Sequence, residues 1–443
     1  MTDTDRYMLL AEKALDAARS LGAEWCDVSV GSGRHIGVSL EKTAVKSADS
    51  GRSESAGVRV FIRGAMGYAL CGGLEEDRLL AAARRAVGLA REGTPDPDFK
   101  ALPEPAEVEP VEGLYDPAIA QMRVEDVVAL AAANIRLARE MEPGVNLSGH
   151  VSVTAGDSVL AGSTGIRLVR QRTSLDGDIE ALVTRGDDKG YLYDWDSGRM
   201  LSDCAIESLA CPAVEGARRM LGARRMASGR MPVVLGPLAA SDFVEGLISA
   251  AGAESIQRGR SFLCGKAGAK VAGDALTVAD DGLVPRGLHS GECDGEGAPR
   301  RRVTVFDRGV FAAQLHNAYT ANKAGEPNTG HGVRTGGIRH TNIDPALGTQ
   351  TADQIIRSTG DGLYLAISHF SPNPTSGDLS ASVDFGFRIA GGEVAHPVES
   401  AMIAGNMLDL AAAVDAVSSD YRAEPGNRMP TIRIQDVQVA GTE

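Results

Sequence analysis

The sequence predicts an α+β protein: an N-terminal mixed α/β region with an antiparallel sheet, followed by a larger, β-rich C-terminal domain. Three observations carry this expectation. Amphipathic helical stripes recur, short alternating runs bounded by glycine or polar turns lie between them, and no dinucleotide fingerprint or phosphate-binding loop joins strand to helix. Glycine supplies 53 of the 443 residues, well above the ~7% of an average chain, so many tight turns and close backbone approaches are expected. Aromatic residues make up only 4%, which leaves the core to Ala, Val, Leu and Ile.

Met8, Leu9, Ala11, Leu15, Ala18 and Leu21 recur at helical spacing, so Tyr7–Leu21 is predicted as a helix stopped by Gly22. Four short strands follow, at Cys26–Val30, His35–Leu40, Gly57–Ile62 and Gly67–Cys71. Glu75–Arg91 is again helical, with Leu79, Ala83, Val87 and Ala90 on one stripe. Between Thr94 and Pro117, prolines alternate with acidic residues, the composition of a linker or a strap along the surface. A helix over Val124–Met141 reopens regular structure. Strands are expected at Leu147–Thr154, Gly165–Arg172 and Ile179–Thr184, then a helix over Cys204–Leu221. The last half opens on the apolar run Met231–Leu235 and a helix from Leu238 to Ala251. Val303–Phe306 and Val310–Leu315 flank Asp307-Arg308-Gly309 as a hairpin. Ala352–Asp361 reads as a helix, Leu363–Ile367 as a strand, and Phe385–Ile389 with Val394 onward as a second hairpin around Gly391-Gly392. Met407–Val417 is predicted helical and Thr431–Val439 a closing strand. The resulting divisions are 1–93, an N-terminal α/β domain; 94–122, the linker; 123–226, a central α/β domain; and 230–443, the C-terminal domain.

Charge narrows the partners. With 45 basic and 59 acidic residues the net charge is −14, which argues against nucleic acid or an anionic membrane surface, since both call for a basic face. No window approaches the ~18 consecutive apolar residues of a membrane span, and the acidic stretch Met1–Asp5 has the wrong sign for a secretory signal. A cytoplasmic protein is expected. The six cysteines are scattered, with no C-x-x-C pair, so neither a disulfide framework nor a zinc ribbon is expected.

Candidate chemistry is sparse. There is no G-x-S-x-G and no H-E-x-x-H, and no predicted helix carries two of the eight histidines. The densest cluster is His289-Ser290-Gly291-Glu292-Cys293-Asp294. His289, Glu292, Cys293 and Asp294 are all potential metal ligands there, but a glycine-rich loop does not order a ligand shell by itself, and a solvated turn is the better reading. His331 and His340 stand across a glycine-rich segment suited to covering a cleft, or simply lie on the surface. Asp280-Asp281 fits a turn cap or a carboxylate pair. Asp384, between Val383 and Phe385, is either partly buried with a partner or turned outward on an alternating strand. Tyr191, Tyr193 and Trp195, interleaved with Asp194 and Asp196, suit a peptide-binding surface or a half-buried strand. The residues taken alone assemble no catalytic constellation.

A series of segments in the second half points further. Ser261-Phe262-Leu263 precedes Gly265-Lys266 and Gly268; Leu276-Thr277-Val278 precedes Asp280-Asp281; Asp294-Gly295-Glu296-Gly297 precedes Arg300-Arg301. Tyr319-Thr320-Ala321 with Lys323, Thr329-Gly330 and Thr341-Asn342 come next. Ser376-Gly377-Asp378, Gly391-Gly392-Glu393, Pro397-Val398-Glu399 and Ile403-Ala404-Gly405-Asn406-Met407-Leu408 complete the order. In this order and spacing the chain resembles the TldD/PmbA family of zinc-metallopeptidase-related proteins, and within it the TldE (PmbA) branch. The first half fits the family in length and pattern only.

The resemblance implies a TldD/PmbA-type C-terminal domain and an asymmetric division of labour. The TldD branch carries H-E-x-x-x-H and a later cysteine as zinc ligands. The corresponding stretch here is Val244-Glu245-Gly246-Leu247-Ile248-Ser249, in which Glu245 survives and both imidazoles are replaced; the cysteine position falls at Asp384 or Val383. The implied role is a non-catalytic subunit that pairs with a TldD-type, zinc-bearing paralogue to enclose a chamber for small or unfolded peptides. In that chamber, Gly330–Gly337 and the Asp378–Phe385 hairpin are candidate walls, and His331, Arg334, Asp378 and Asp384 candidate substrate contacts. The segment Ala381-Ser382-Val383-Asp384-Phe385 departs from the Arg-Gly-Ala-type continuation expected of the branch, which suits a different, specialised substrate. Two other readings stay open: a self-sufficient, possibly homodimeric metal-dependent amide hydrolase using Asp384, His289 or Glu292 as ligands, and a peptide-binding scaffold.

Overall fold

In the computed structural model, which describes residues 2–424 and 427–442, the first lobe is one α-β-β-β-α unit met twice. The first comprises α1 (Asp3–Ser20), β1 (Trp25–Glu41), β2 (Ala44–Ile62), β3 (Ala65–Gly72) and α2 (Glu76–Glu92). After a short α3 (Pro117–Gln121), the second comprises α4 (Val124–Met141), β4 (Asn146–Gly162), β5 (Arg167–Arg185), β6 (Asp188–Gly198) and α5 (Ala210–Arg219). Antiparallel pairing of β1 with β4 fuses the two meanders into a six-stranded sheet of order β3-β2-β1-β4-β5-β6. Residues 1–93 and 123–226 thus contribute three strands each to one sheet, and each unit covers an edge that would otherwise expose unpaired backbone.

Alternation along β1 explains how one sheet serves two cores. Val28 and Val30 face α1 and α2, while Ile36, Val38 and Leu40 face α4 and α5. Ser32 and Arg34 separate the two clusters on that face: Tyr7 Oη donates to Ser32 Oγ at 2.9 Å, and Arg34 donates to Ala120 O at 2.9 Å. The opposite face carries Ser29, Gly31 and Gly33, too small to build a core.

Each edge strand meets its helix at a glycine. A Cβ on Gly67 of β3 would stand 1.9 Å from Ala86 O of α2, and one on Gly190 of β6 would stand 1.9 Å from Ala217 O of α5. Backbone atoms cannot yield as a side chain would. Gly67→Ala is therefore expected to destabilise the protein by about 1–3 kcal/mol through overpacking. Gly88→Ala, on the exposed face of α2 where a Cβ meets nothing within 4 Å, should instead stabilise by roughly 0.5–1 kcal/mol. Urea unfolding of the two variants beside the wild type measures both signs.

The acidic, proline-rich segment is a strap. Phe99 stacks on Phe61 with centroids 3.9 Å apart, Leu102 and Val111 are buried, and Asp116 caps α3 by accepting from Ala118 N at 2.8 Å. Its Glu112 carbonyl accepts from Arg286 N at 2.8 Å, tying the strap to the second lobe.

The second lobe begins with β7 (Gly229–Leu235), α6 (Pro237–Ala250) and α7 (Ala253–Gln257). Then come β8 (Val278–Asp281), β9 (Arg302–Asp307), β10 (Val310–Phe311), α8 (Ala318–Ala324), β11 (Asn342–Pro345), α9 (Ala352–Thr359) and β12 (Gly362–Ile367). The chain closes with β13 (Asp378–Ser382), β14 (Phe385–Ala390), β15 (Glu393–Val398), β16 (Met402–Asn406), α10 (Met407–Ala412), β17 (Val414–Glu424) and β18 (Asn427–Ala440). A four-stranded sheet runs β10-β9-β8-β11, and a larger one β13-β16-β18-β7-β12-β14-β15, with β17 paired to β18. Phe243, Val244, Leu247 and Ile248 seat α6 in the main core between them. Arg308 at φ 45° and Gly309 at φ 77° form the tight β9–β10 turn.

Several expected elements change extent. Cys26–Val30 and His35–Leu40 are one strand, because β4 pairs continuously from Asp27 to Leu40 and holds the intervening glycines inside the ladder. The segments expected at Gly165–Arg172 and Ile179–Thr184 are likewise one strand, β5. The helix expected from Cys204 starts only at Ala210, whose N–H donates to the buried Asn134 side chain at 2.8 Å; two 3₁₀ turns precede it. The helix expected over Met407–Val417 ends at Ala412, and Val414 enters β17 opposite Ile434. Asp378–Phe385 is not a hairpin: β13 pairs with β16, whereas β14 pairs with β12 and β15.

Candidate functional site

Helix α6 carries the six residues that stand where the resemblance puts zinc ligands. Its helical period sorts them by face. Val244 is fully buried in the core. Asp242, Glu245 and Ser249, at i, i+3 and i+7, line a pocket of about 290 Å³ together with Arg260, Phe262 and Phe370. Glu245 Oε1 lies 3.4 Å from His340 Nε2. The Asp242 carboxylate accepts from Phe370 N; burial pushes its carboxyl above the ordinary value, against the pull of that bond and of His369, and Glu245 adds to the rise. Tyr193 Oη is 3.2 Å from His369 Nε2, and its phenol is raised by burial and then by Asp242 and Asp384.

These residues do not fit zinc. A valine directed into the core and a neutral serine supply neither imidazole nor thiolate. Among the described residues no group of three or more His, Cys, Asp or Glu is placed to hold a metal ion. Asp384 is exposed at the bend between β13 and β14, outside either strand, and it has neither the partial burial nor the strand position expected of it. His289 and Glu292 belong to no such group among the described residues. Crowding by surrounding protein, then His340, Arg199, Arg339 and Arg300, push the His289 imidazole down to about 4, and a ring of cations disfavours a divalent metal.

The proposed wall residues separate. Asp378 is exposed at the start of β13, accepting from Asn406 Nδ2 at 3.0 Å and Ser376 Oγ at 2.8 Å, bonds that hold its carboxyl below the usual range. His331 is buried and faces inward. Its Nε2–H donates to Asp280 Oδ1 at 2.9 Å, and its Nδ1 lies 2.9 Å from Thr329 Oγ1. Asp280 Oδ2 also accepts from Thr341 N at 2.7 Å. Burial alone would raise the Asp280 carboxyl, but His331 and Thr341 reverse the sign and hold it below the ordinary value. Of the aromatic trio, Tyr193 packs edge-on against Phe385 at 5.5 Å and stacks with Trp195 at 5.9 Å, which joins β6 to the second lobe.

Arg334 belongs to a constellation missed at the sequence level. Arg59 donates to Asp27 Oδ2 through Nε at 2.8 Å and Nη2 at 2.6 Å, and to Glu296 Oε1 through Nη1 at 2.7 Å. Arg334 Nε reaches the other Asp27 oxygen at 2.6 Å. Arg59, Asp27 and Glu296 are all buried. Burial would raise the Asp27 carboxyl, but Arg334 and Arg59 more than offset it and leave it lowered. Next to them, buried Asp294 accepts from Glu296 N, Ala298 N and Gly332 N at 2.9, 3.0 and 2.7 Å; burial and the Glu296 charge nonetheless push its carboxyl up to about 6. The legible signal was a charge inside each of two apolar runs, Cys26-Asp27-Val28 and Val58-Arg59-Val60, paired in register as Asp27↔Arg59.

Residues 228–441 match the model of the PmbA/TldA metallopeptidase C-terminal domain, and residues 26–90 that of PmbA/TldA metallopeptidase domain 1. A Methanothermobacter thermautotrophicus protein named Metalloprotease is 27% identical over 447 residues, covering 95% of this chain and 96% of the relative. Metalloprotease PmbA of Escherichia coli O157:H7 is 24% identical over 448 residues, covering 98% and 96%. The crystal structure of TldE from Thermococcus kodakarensis superposes with a TM-score of 0.89 at 23% identity, over 97% of this chain and 99% of that one; at that identity the likeness speaks for the fold.

Proposed function

Because this chain belongs to the PmbA/TldD metallopeptidase family, we propose that it is the TldE-type subunit of a cytoplasmic heterodimeric zinc peptidase acting on small or unfolded peptides. The catalytic zinc would be carried by an H-E-x-x-x-H-bearing paralogue. The observation that carries this reading is the orientation of α6: the position of the first imidazole is a valine sealed in the core, and Glu245 is engaged by His340. The absence of a helix long and apolar enough to cross a membrane among the described residues is compatible with it.

Co-expression tests the proposal. The chain purified alone should hold no stoichiometric zinc and should not cleave an unfolded peptide such as reduced, denatured casein fragments. Co-purified with the paralogue it should form a heterodimer whose hydrolysis is abolished by a chelator and left unchanged by Glu245→Gln in this chain. Zinc bound one-to-one by the isolated chain, with chelator-sensitive turnover, would establish the self-sufficient hydrolase instead.

A further inference from the structure

The face of the first-lobe sheet turned away from its helices is paved with very small residues and ends in uncompensated positive charge. The strand register places Ser53, Gly33, Gly156 and Arg172 in one row across β2, β1, β4 and β5. Directly opposed residues share a face. The row on one side is Gly51, His35, Thr154 and Ser174; the row on the other is Ser55, Gly31, Ser158 and Arg170. Two adjoining cavities of about 460 and 410 Å³ lie over these rows and share Gly33, Ser53, Gly156 and Arg172, so they form one groove.

Packing within the chain does not account for two of the glycines. A Cβ on Gly51 would meet nothing within 4 Å, and one on Gly33 nothing nearer than 3.8 Å. Neither has a positive φ. Glycine inside a strand weakens it and characteristically marks a place where a ligand or another backbone comes close.

The charge at the end of the groove is equally unaccounted for. The Arg172 guanidinium has no hydrogen bond or ion pair among the described residues. Its neighbours are satisfied by backbone carbonyls: Arg170 by Asp294 O at 2.6 Å, Arg199 by Thr173 O at 3.0 Å and Gly287 O at 3.2 Å, Arg300 by Cys293 O at 3.2 Å. Glu292 acts on Arg172 only at longer range. Crowding by protein, then Arg199, Arg170 and Arg300, bring the Arg172 guanidinium down to about 10. An incoming anion would relieve that repulsion, in a chain whose net charge is −14.

We propose that this groove binds an extended peptide, its backbone lying on the glycine floor and a carboxylate of the peptide received by Arg172. From Ser29 to His35 the floor runs roughly 20 Å, the length of about six extended residues. The inference rests on the reading that this protein handles peptides, and it adds a preference for peptides bearing a negative charge. The carboxylate comes either from the peptide's C-terminus or from an acidic side chain.

Calorimetric titration of the full chain with three hexapeptides tests this: Ala-Gly-Ala-Gly-Ala-Glu with a free C-terminus, its C-terminal amide, and the free acid with Gln in place of Glu. The first should bind. Loss on amidation assigns the carboxylate to the terminus, and loss with Gln assigns it to the side chain; either supports the proposal. Arg172→Gln should weaken binding about tenfold or more, the equivalent of a lost charge-assisted pair. Gly51→Val should weaken it as much while its melting temperature stays at or above that of the wild type, since a β-branched residue enters open space on a strand. No binding by the wild type, or unchanged affinity in both variants, overturns the proposal. So does a Gly51→Val protein whose sedimentation coefficient changes while its peptide affinity does not, because a second copy would then cover the face. Binding here without hydrolysis in the co-expressed complex removes the subunit reading alone; hydrolysis there without binding here removes the groove alone.

Discussion

Arg59→Met is expected to destabilise the protein by about 3–5 kcal/mol, the cost of stripping one partner from a buried ion cluster. The methionine fills much of the same volume, so the loss is electrostatic rather than a cavity. Asp27 keeps Arg334, whose side chain also donates to Gly57 O at 3.0 Å, but Glu296 is left buried beside Asp294 with no guanidinium. The cluster bridges the lobes, Asp27 and Arg59 coming from the first sheet and Glu296 and Arg334 from loops of the second lobe. Unfolding should therefore lose cooperativity as well as midpoint. Denaturant unfolding followed by the fluorescence of Trp25 and Trp195, both on strands of the first lobe, and by far-ultraviolet circular dichroism checks this: the two probes should coincide in the wild type and separate in the variant. A variant within 1 kcal/mol of wild type would mean that the cluster contributes little net stability.

Asp280→Ala should cost about 3 kcal/mol or more at neutral pH, because the His331 Nε2–H and the Thr341 N–H lose their acceptor in a buried site. The pH dependence carries a definite sign. The Asp280 carboxyl is held below its ordinary value in the folded protein, so the folded state binds its proton less readily than the unfolded chain does. Its contribution is fully present above the unfolded value, near 3.9, and is lost as the pH falls through the lower folded value. The difference between wild type and Asp280→Ala should accordingly be largest at pH 6–7 and shrink below pH 4. Urea midpoints across that range measure it, and a difference that grows on acidification would contradict the assignment of Asp280 as the ionised acceptor.

Much of the local architecture was legible. The period of the apolar residues located α4 over Val124–Met141 and placed α2 and α6 to within a residue or two, because a helix stripe is written in neighbouring residues. Strand lengths were less legible: Gly31 and Gly33 look like strand ends, and only pairing with β4 keeps them in the ladder. The site was least legible. Motif reasoning recognised the α6 stretch and its missing imidazoles, but not that Glu245 meets His340 or that His331 turns inward to Asp280.

By itself the sequence determined the fold class, the family, the succession of helices and strands, and the absence of H-E-x-x-x-H, all properties of residue type and short spacing. Only the tertiary structure decided which distant residues share an environment. Asp27 and Arg334, 307 positions apart, meet at 2.6 Å, and four strands bring Ser53, Gly33, Gly156 and Arg172 into one row. The physical reason is that periodicity specifies which face a residue occupies, whereas its neighbours on that face depend on strand order and register, which are settled by burying both lobes' cores at once.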